Sequence, residues 1–277
     1  TNKNSGAHFT YLFNKKEAQS DSTKVKWDSI QMNIYDGERL IRTLKKKTPK
    51  ENGIQKWTWY MDEKGGDRPS RTISKRKTES GGVKVKPGTY KAVLSYGNQS
   101  SETTIRIEND PRIEKSSQAI SEVYDALKEI QNLQQIEADA VKQLVESKNI
   151  ADAYSKSLTK LDKKKFKSEI SSSKKIIKKV DSIIALYIGK VDKRQGITSD
   201  TIVNVNQRIG SASRYVRSRQ NGITKTETIL IDQAKEALSN ALDKTNTFFN
   251  DEWKTYKTKM ESLELSPFKE TEAFKLD

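Results

Sequence analysis

Asp62, Glu63 and Asp67 stand close together beside Gly65-Gly66, and they are the densest group of carboxylates in the first third of the chain. Carboxyl pairs held about 5–9.5 Å apart with contrasting pKa values hydrolyse glycosides, and clustered oxygens can bind calcium. Either use needs a rigid surrounding shell. The segment that follows, Lys64-Gly-Gly-Asp-Arg68-Pro-Ser-Arg71-Thr-Ile-Ser-Lys75-Arg76-Lys77, closes on Gly81-Gly82 and reads as a flexible basic hairpin or loop, so no catalytic role is assigned to the trio. His8 is the only histidine and there is no cysteine. A multi-histidine or thiolate metal site and a thiol nucleophile therefore lack their residues, and a Ser-His-Asp triad could be built only on His8, which reads as an ordinary early-strand residue. The glycines fit neither a Walker loop nor a dinucleotide fingerprint. No catalytic, cofactor or metal ligand emerges, and no cofactor is expected.

What remains is surface for binding. Trp57, Trp59, Tyr60 and Tyr96 would form a sugar-stacking platform if they shared an exposed face, although an aromatic face ordinarily fills a core, and Trp57 is assigned there. Trp59 and Tyr60 together with Lys64, Arg68, Arg71, Lys75, Arg76 and Lys77 make up the candidate binding surface, suited to an envelope glycan or another polyanion. Arg208, Arg214, Arg217 and Arg219 form a second basic group, but only Arg214 and Arg217 share a helical spacing, which describes a solvated helix end. The formal charge of +15 is diffuse: residues 1–110 carry 22 Lys and Arg against 13 Asp and Glu, and the rest carries 30 against 24. That even spread does not favour nucleic acid.

The positions of these residues depend on two kinds of element. At 277 residues two domains are expected. Only 33% of residues are apolar, 32% are charged and mean hydropathy is −0.85, which suits elongated, well-solvated elements. No apolar run approaches the roughly 18 residues that cross a bilayer. The chain opens on Thr1-Asn-Lys-Asn-Ser-Gly without an initiator Met or a signal h-region, and is expected to be a piece of something longer.

Up to residue 109, alternation of apolar and polar residues predicts strands at Phe9–Phe13, Ser29–Tyr35, Arg39–Leu44, Ile54–Tyr60, Gly88–Tyr96 and Glu102–Ile107, with turns at Asp36-Gly37, Asn52-Gly53, Pro87-Gly88 and Gly97-Asn98. Six or seven short strands in about 100 residues describe an antiparallel β-sandwich. Asn109-Asp110-Pro111 ends the pattern, which places a domain boundary there, between 1–109 and 110–277.

Beyond Pro111 the period changes to about 3.5. Ser116 or Ser117 can cap a first helix with Ile120, Val123, Leu127, Ile130, Leu133, Ile136, Ala140 and Leu144 on its stripe, continuing through Ala151, Tyr154 and Leu158. A second carries Phe166, Ile170, Ser173, Ile177, Val180, Ile184 and Tyr187. After a turn at Gln195-Gly196 a third starts at Thr198 or Ser199, carries Ile202, Val205, Ile209, Ala212 and Val216, and is capped by Asn221-Gly222. A fourth runs through Ile231, Ala234, Leu238, Leu242, Thr245, Phe249, Trp253, Tyr256, Met260 and Leu263 until Pro267. Four stripes with short connections predict an antiparallel four-helix bundle and, with the sandwich, an α+β multidomain chain.

An ordered series also stands out: Ser5-Gly6-Ala7-His8-Phe9-Thr10-Tyr11, Ile34-Tyr-Asp36-Gly through Leu44, Asn52-Gly53-Ile54-Gln-Lys-Trp57, Val85-Lys-Pro87-Gly88-Thr89-Tyr90 and Asn109-Asp110-Pro111-Arg112. It resembles the C-terminal region of bacterial sortilin-like, BNR-repeat proteins of the Bacteroidota, often labelled glycosyl hydrolases. There an Ig-like module, similar to that of flagellar hook-capping proteins, precedes a helical segment. The resemblance implies an Ig-like sandwich, an extracytoplasmic location and a propeller of the same polypeptide, or another protein, as partner. The family's Asp-box repeats (Ser-x-Asp-x-Gly-x-x-Trp) do not occur here, so it implies an accessory, non-catalytic role.

Overall fold

The computed structural model describes residues 5–15, 27–112, 115–191 and 202–263. The chain mixes antiparallel sheet with long helices. Strands β1 (Ala7–Phe13), β2 (Ser29–Asp36), β3 (Arg39–Lys47), β4 (Gly53–Trp59), β5 (Asp62–Lys64), β6 (Gly81–Lys84), β7 (Gly88–Tyr96) and β8 (Gln99–Ile107) come first. They pair as β1-β4, as β3-β2-β7-β8 and as β5-β6. The helices are α1 (Ser117–Asp162), α2 (Lys167–Ile188), α3 (Val205–Arg217) and a last rod in which α4 (Lys225–Phe248), a π-helical turn (Phe249–Trp253) and α5 (Lys254–Glu261) run on without a break. No helix among the described residues is long and apolar enough to cross a membrane. The strands end at Ile107 and the helices begin at Ser117, whereas compactness divides the chain elsewhere. One unit comprises Thr1–Arg68, Ser74–Gln135 and Ile209–Asp232, and the other Pro69–Ile73, Ile136–Arg208 and Gln233–Asp277.

In the first unit, alternation does what the pleat requires: Ile30, Met32 and Ile34 point one way from β2 and are buried while their neighbours are not. Phe9 and Phe13 of β1, Trp57 and Trp59 of β4, Ile41 of β3 and Tyr90, Ala92 and Tyr96 of β7 join them in one apolar cluster. Two-residue turns close β2-β3 at Gly37-Glu38 and β7-β8 at Gly97-Asn98. Gly97 has φ 57°, and a Cβ there would lie 2.4 Å from the Trp27 ring, so both conformation and space demand glycine. On the helical side, the Ser116 hydroxyl accepts the Ala119 N–H at 3.0 Å and caps α1. α3 stops at Arg217, short of Asn221-Gly222, which belongs to the connection. Thr224 then starts α4, its N–H and hydroxyl both donating to the Glu227 carboxylate at 2.9 and 2.6 Å, the backward-reaching half of a capping box.

In the second unit the Lys148 ammonium of α1 meets Asp181 of α2 at 2.6 Å. Tyr187 of α2 hydrogen-bonds Thr245 of α4 at 2.7 Å, and Ser173 of α2 bonds Tyr256 of α5 at 2.9 Å. The buried stripes depart from the apolar lettering in α1, α2 and the last rod. Ile176 replaces Ile177 in α2. Ala241 and Phe248 replace Leu242 and Phe249 in the last rod. In α1, Ile136 is 36% exposed while Glu137 is fully buried. From Phe248 to the next buried residue, Tyr256, is eight positions rather than seven, and the π-helical turn supplies the extra residue, keeping both ends of the rod on the same buried face. Ile202 precedes α3 and is 72% exposed. The expected starts at Thr198 or Ser199, the Gln195-Gly196 turn and the stop at Pro267 lie outside the described residues.

Candidate functional site

The acidic pair is not in a flexible loop. Asp62 and Glu63 are consecutive in β5, so their side chains leave the strand on opposite faces, and both are buried. Asp62 faces the Arg42 guanidinium of β3 at 3.7 Å; Arg42 also approaches Glu79 at 3.8 Å and donates to the Ser80 carbonyl. Glu63 accepts from Arg39 of β3 at 3.0 Å, from the Tyr124 hydroxyl at 2.5 Å and from Lys128 at 2.8 Å. Tyr124 and Lys128 are four apart on α1 and therefore share a face.

Burial alone would raise the Glu63 carboxyl, but hydrogen bonds from Arg39, Lys128 and Tyr124 outweigh it and hold it down at about 2. Burial first, then the Glu63 hydrogen bond and charge, push Tyr124 up to about 12. A carboxylate this acidic, with both oxygens occupied, has no basicity for proton transfer near neutrality. It acts as an ionic lock between β3, β5 and the start of α1.

The same helix fixes the base of the basic segment. Gln131 donates to the Lys64 carbonyl at 3.1 Å, Gln134 to the Asp67 carbonyl at 2.9 Å, and the Asp67 N–H donates to Gln135 at 2.8 Å. The glycine pairs serve close approach here: a Cβ on Gly65 would lie 2.3 Å from the Gly81 carbonyl oxygen, and one on Gly82 2.7 Å from that of Lys64.

The eight residues of the candidate surface do not converge. Trp59 is fully buried, its indole N–H donating to the Asp62 carbonyl at 2.9 Å and its ring edge-on to Tyr90, so it offers no face to a ligand. A spacing of two residues puts it on the same side of β4 as Trp57, and that side is the core. Tyr60, one residue on, is 58% exposed. Arg71 belongs to the second unit and donates to the Gly189 carbonyl at the end of α2. Lys64, Arg68, Lys75, Arg76 and Lys77 are exposed, with Arg76 turned back on Thr78 and Glu79. Of the arginines around α3, Arg208 donates to Gln233, Arg217 to Ser213 and Arg219 to Glu227.

A cavity of about 270 Å³ also lies in the first unit, floored by Val85, Ile107, Val123 and Leu127 and edged by Lys86 and Lys115. Among the described residues, no cluster of three or more His, Cys, Asp or Glu could hold a metal ion.

Sequence spacing missed both the Glu63 lock, which is assembled from three distant segments, and Glu137. In the second unit both Glu137 oxygens are buried without a hydrogen-bond partner, and burial pushes its carboxyl up to about 8. The clue to Glu137 was helical phase, since four-residue steps back from Val145 through Val141 arrive at it. Compared with family models, curated proteins and solved structures, the chain matches none.

Proposed function

We propose that this chain is a non-catalytic support and docking module, the C-terminal accessory part of an exported sortilin-like, BNR-repeat propeller protein. In this reading an Ig-like β-sandwich is followed by an antiparallel four-helix bundle. The observation that carries it is the fate of the acidic pair: Asp62 and Glu63 are committed to Arg42, Arg39, Tyr124 and Lys128, and tie strand to helix. The Ig-like assignment draws support from the apolar cluster shared by β1-β4 and β3-β2-β7, and from Tyr90. At the start of β7, its hydroxyl donates to the Lys86 carbonyl four residues upstream at 2.6 Å, the geometry of a tyrosine corner, against the buried Trp59. The bundle draws support from the bonds linking α1 to α2 and α2 to the last rod.

The test is an assay of the purified chain against a panel of aryl glycosides and polysaccharides. No turnover is expected, and hydrolysis abolished by Glu63→Gln would overturn the proposal. Asp-box blades encoded upstream of Thr1 would agree with the parent architecture, and an unrelated domain there would remove it.

A second reading, binding of an envelope glycan or polyanion, is favoured by exposed Tyr60, Lys64, Arg68, Lys75, Arg76 and Lys77 on a hairpin whose base is fixed. Affinity electrophoresis in gels containing an anionic polysaccharide tests it. Retardation unchanged by Arg68, Arg76 and Lys77 substitution would exclude this surface.

A further inference from the structure

The two edges of the four-stranded sheet differ in how they are protected. β3 ends in Lys45-Lys46-Lys47, and its register with β2 is broken by a bulge at Ile34/Tyr35; charge and irregularity of this kind deter edge-to-edge pairing. β8 has neither Lys nor Pro, and its register with β7 is unbroken from Tyr96↔Gln99 to Gly88↔Ile107. It pairs with β7 alone among the described residues, and Gln99–Thr104 and Arg106 are exposed.

The two-residue turn makes Tyr96 and Gln99 a hydrogen-bonded pair, so by alternation Ser101, Thr103, Ile105 and Ile107 direct their backbone groups at β7. Ser100, Glu102, Thr104 and Arg106 direct theirs outward. An outward row on one strand can pair only with an outward row on another.

We propose that β8 is a pairing edge for a second copy of this chain, antiparallel, with the twofold axis at Thr104. In that register Glu102 lies directly opposite Arg106 of the second copy and Arg106 opposite its Glu102, while the two Thr104 residues face each other. Both are favourable cross-strand combinations. Moving the axis to Thr103 sets Glu102 against Thr104 and loses both ion pairs. Moving it to Ile105 sets Glu102 against Glu108, a like-charge pair. The charges thus select one register of a symmetric, self-complementary contact. Arg106 ion-pairs with Glu108, one residue past the end of β8, at 3.1 Å on open surface, and so remains accessible to Glu102 of a second copy.

Strand pairing alone buries little surface, so the dimer belongs to the weak class, with a dissociation constant on the order of 100 µM. Sedimentation of the whole chain at rising concentration is expected to show a monomer–dimer equilibrium. Glu102→Arg and Arg106→Glu each create two like-charge pairs and are expected to weaken association about tenfold or more, and the double exchange to restore it to within about threefold. Thr104→Pro removes an outward N–H at the twofold axis and leaves the β7 ladder intact, so it is expected to abolish dimers with an unchanged circular dichroism spectrum. A chain that stays monomeric up to about 500 µM, several times the expected constant, overturns the proposal. So does a dimer indifferent to the charge exchange, which would place the contact elsewhere.

Discussion

Replacing Glu137 by Gln should make the protein markedly more stable at and above neutral pH while changing little below pH 5. The carboxyl is fully buried, and neither oxygen has a hydrogen-bond partner. Its charge would fall near Tyr187, whose hydroxyl is already engaged by Thr245. Burial moves its ionisation from an ordinary 4.5 to about 8. The folded state therefore holds the proton more tightly than the unfolded chain, and the contribution of this group is intact below pH 4.5, declines as pH rises and is gone above pH 8. Each pH unit across that interval removes about 1.4 kcal/mol, so roughly 3 kcal/mol is lost by pH 7 and about 5 kcal/mol beyond pH 8. Gln has no proton to lose, and its buried amide replaces a protonated carboxyl that is equally unpartnered, so the desolvation cost of about 1–3 kcal/mol is similar in both proteins below pH 5. The pH-dependent difference is therefore the diagnostic quantity. Urea unfolding followed by far-ultraviolet circular dichroism at pH 5, 6, 7 and 8 should show the stability of Glu137→Gln gaining on wild type by about 3–4 kcal/mol across the series. Parallel curves for the two proteins would refute the reasoning, because they would mean that the carboxyl ionises in the fold as it does in water.

The Glu63 lock gives the opposite pH signature. Held at about 2, this carboxylate stabilises the fold above pH 4.5 and loses that contribution as pH falls toward 2. Glu63→Gln should cost about 2 kcal/mol at neutrality, after allowing for screening at the half-exposed Arg39, and bring the Tyr124 titration down from about 12, as ultraviolet titration would show. Trp59→Ala should destabilise by about 3–5 kcal/mol and Tyr60→Ala by less than about 0.5 kcal/mol in thermal unfolding. Equal effects would place the core face of β4 wrongly. Phe248→Ala should likewise cost about 3–5 kcal/mol and distinctly more than Phe249→Ala, and the reverse order would mean that the π-helical turn does not set the phase of the rod.

The strands were legible because period-two alternation and glycine-bearing turns carry the same message: β2, β7 and β8 fall where Ile30-x-Met32-x-Ile34, Tyr90-x-Ala92 and the turn at Gly97-Asn98 place them. The short β5-β6 pair was not legible, since Asp62-Glu63-Lys64 has the composition of a loop and becomes a buried strand only because Arg39, Arg42, Tyr124 and Lys128 arrive from elsewhere to neutralise it. No spacing rule reaches across the 61 positions separating Glu63 from Tyr124. The candidate surface failed at Trp59 for a related reason. Aromatic type is equally consistent with a core and with a platform, and the decision lies in which face of β4 packs on the apolar cluster that includes Tyr90 of β7.

The helices show where apolar lettering and geometry part. Reading identity alone, Ile136 continues a stripe from Leu133 and Glu137 does not; reading rotation, Glu137 lies on the line through Val141 and Val145 and Ile136 lies about 100° off it. The structure follows the rotation, exposing the isoleucine and burying the acid. A helix as long as α1 cannot twist locally to rescue one side chain, because every residue from Ser117 to Asp162 shares one continuous hydrogen-bonded spiral. The last rod meets the same conflict and resolves it differently. An extra residue in its final turns would have rotated Tyr256 and Met260 away from the buried face, and widening one turn at Phe249–Trp253 absorbs it. Continuity of the helix thus forced α1 to accept a buried carboxyl, whereas a local break in regularity spared the last rod. This is why the titration of Glu137, rather than any feature of the aromatic turn, should dominate the stability of the helical unit as pH rises.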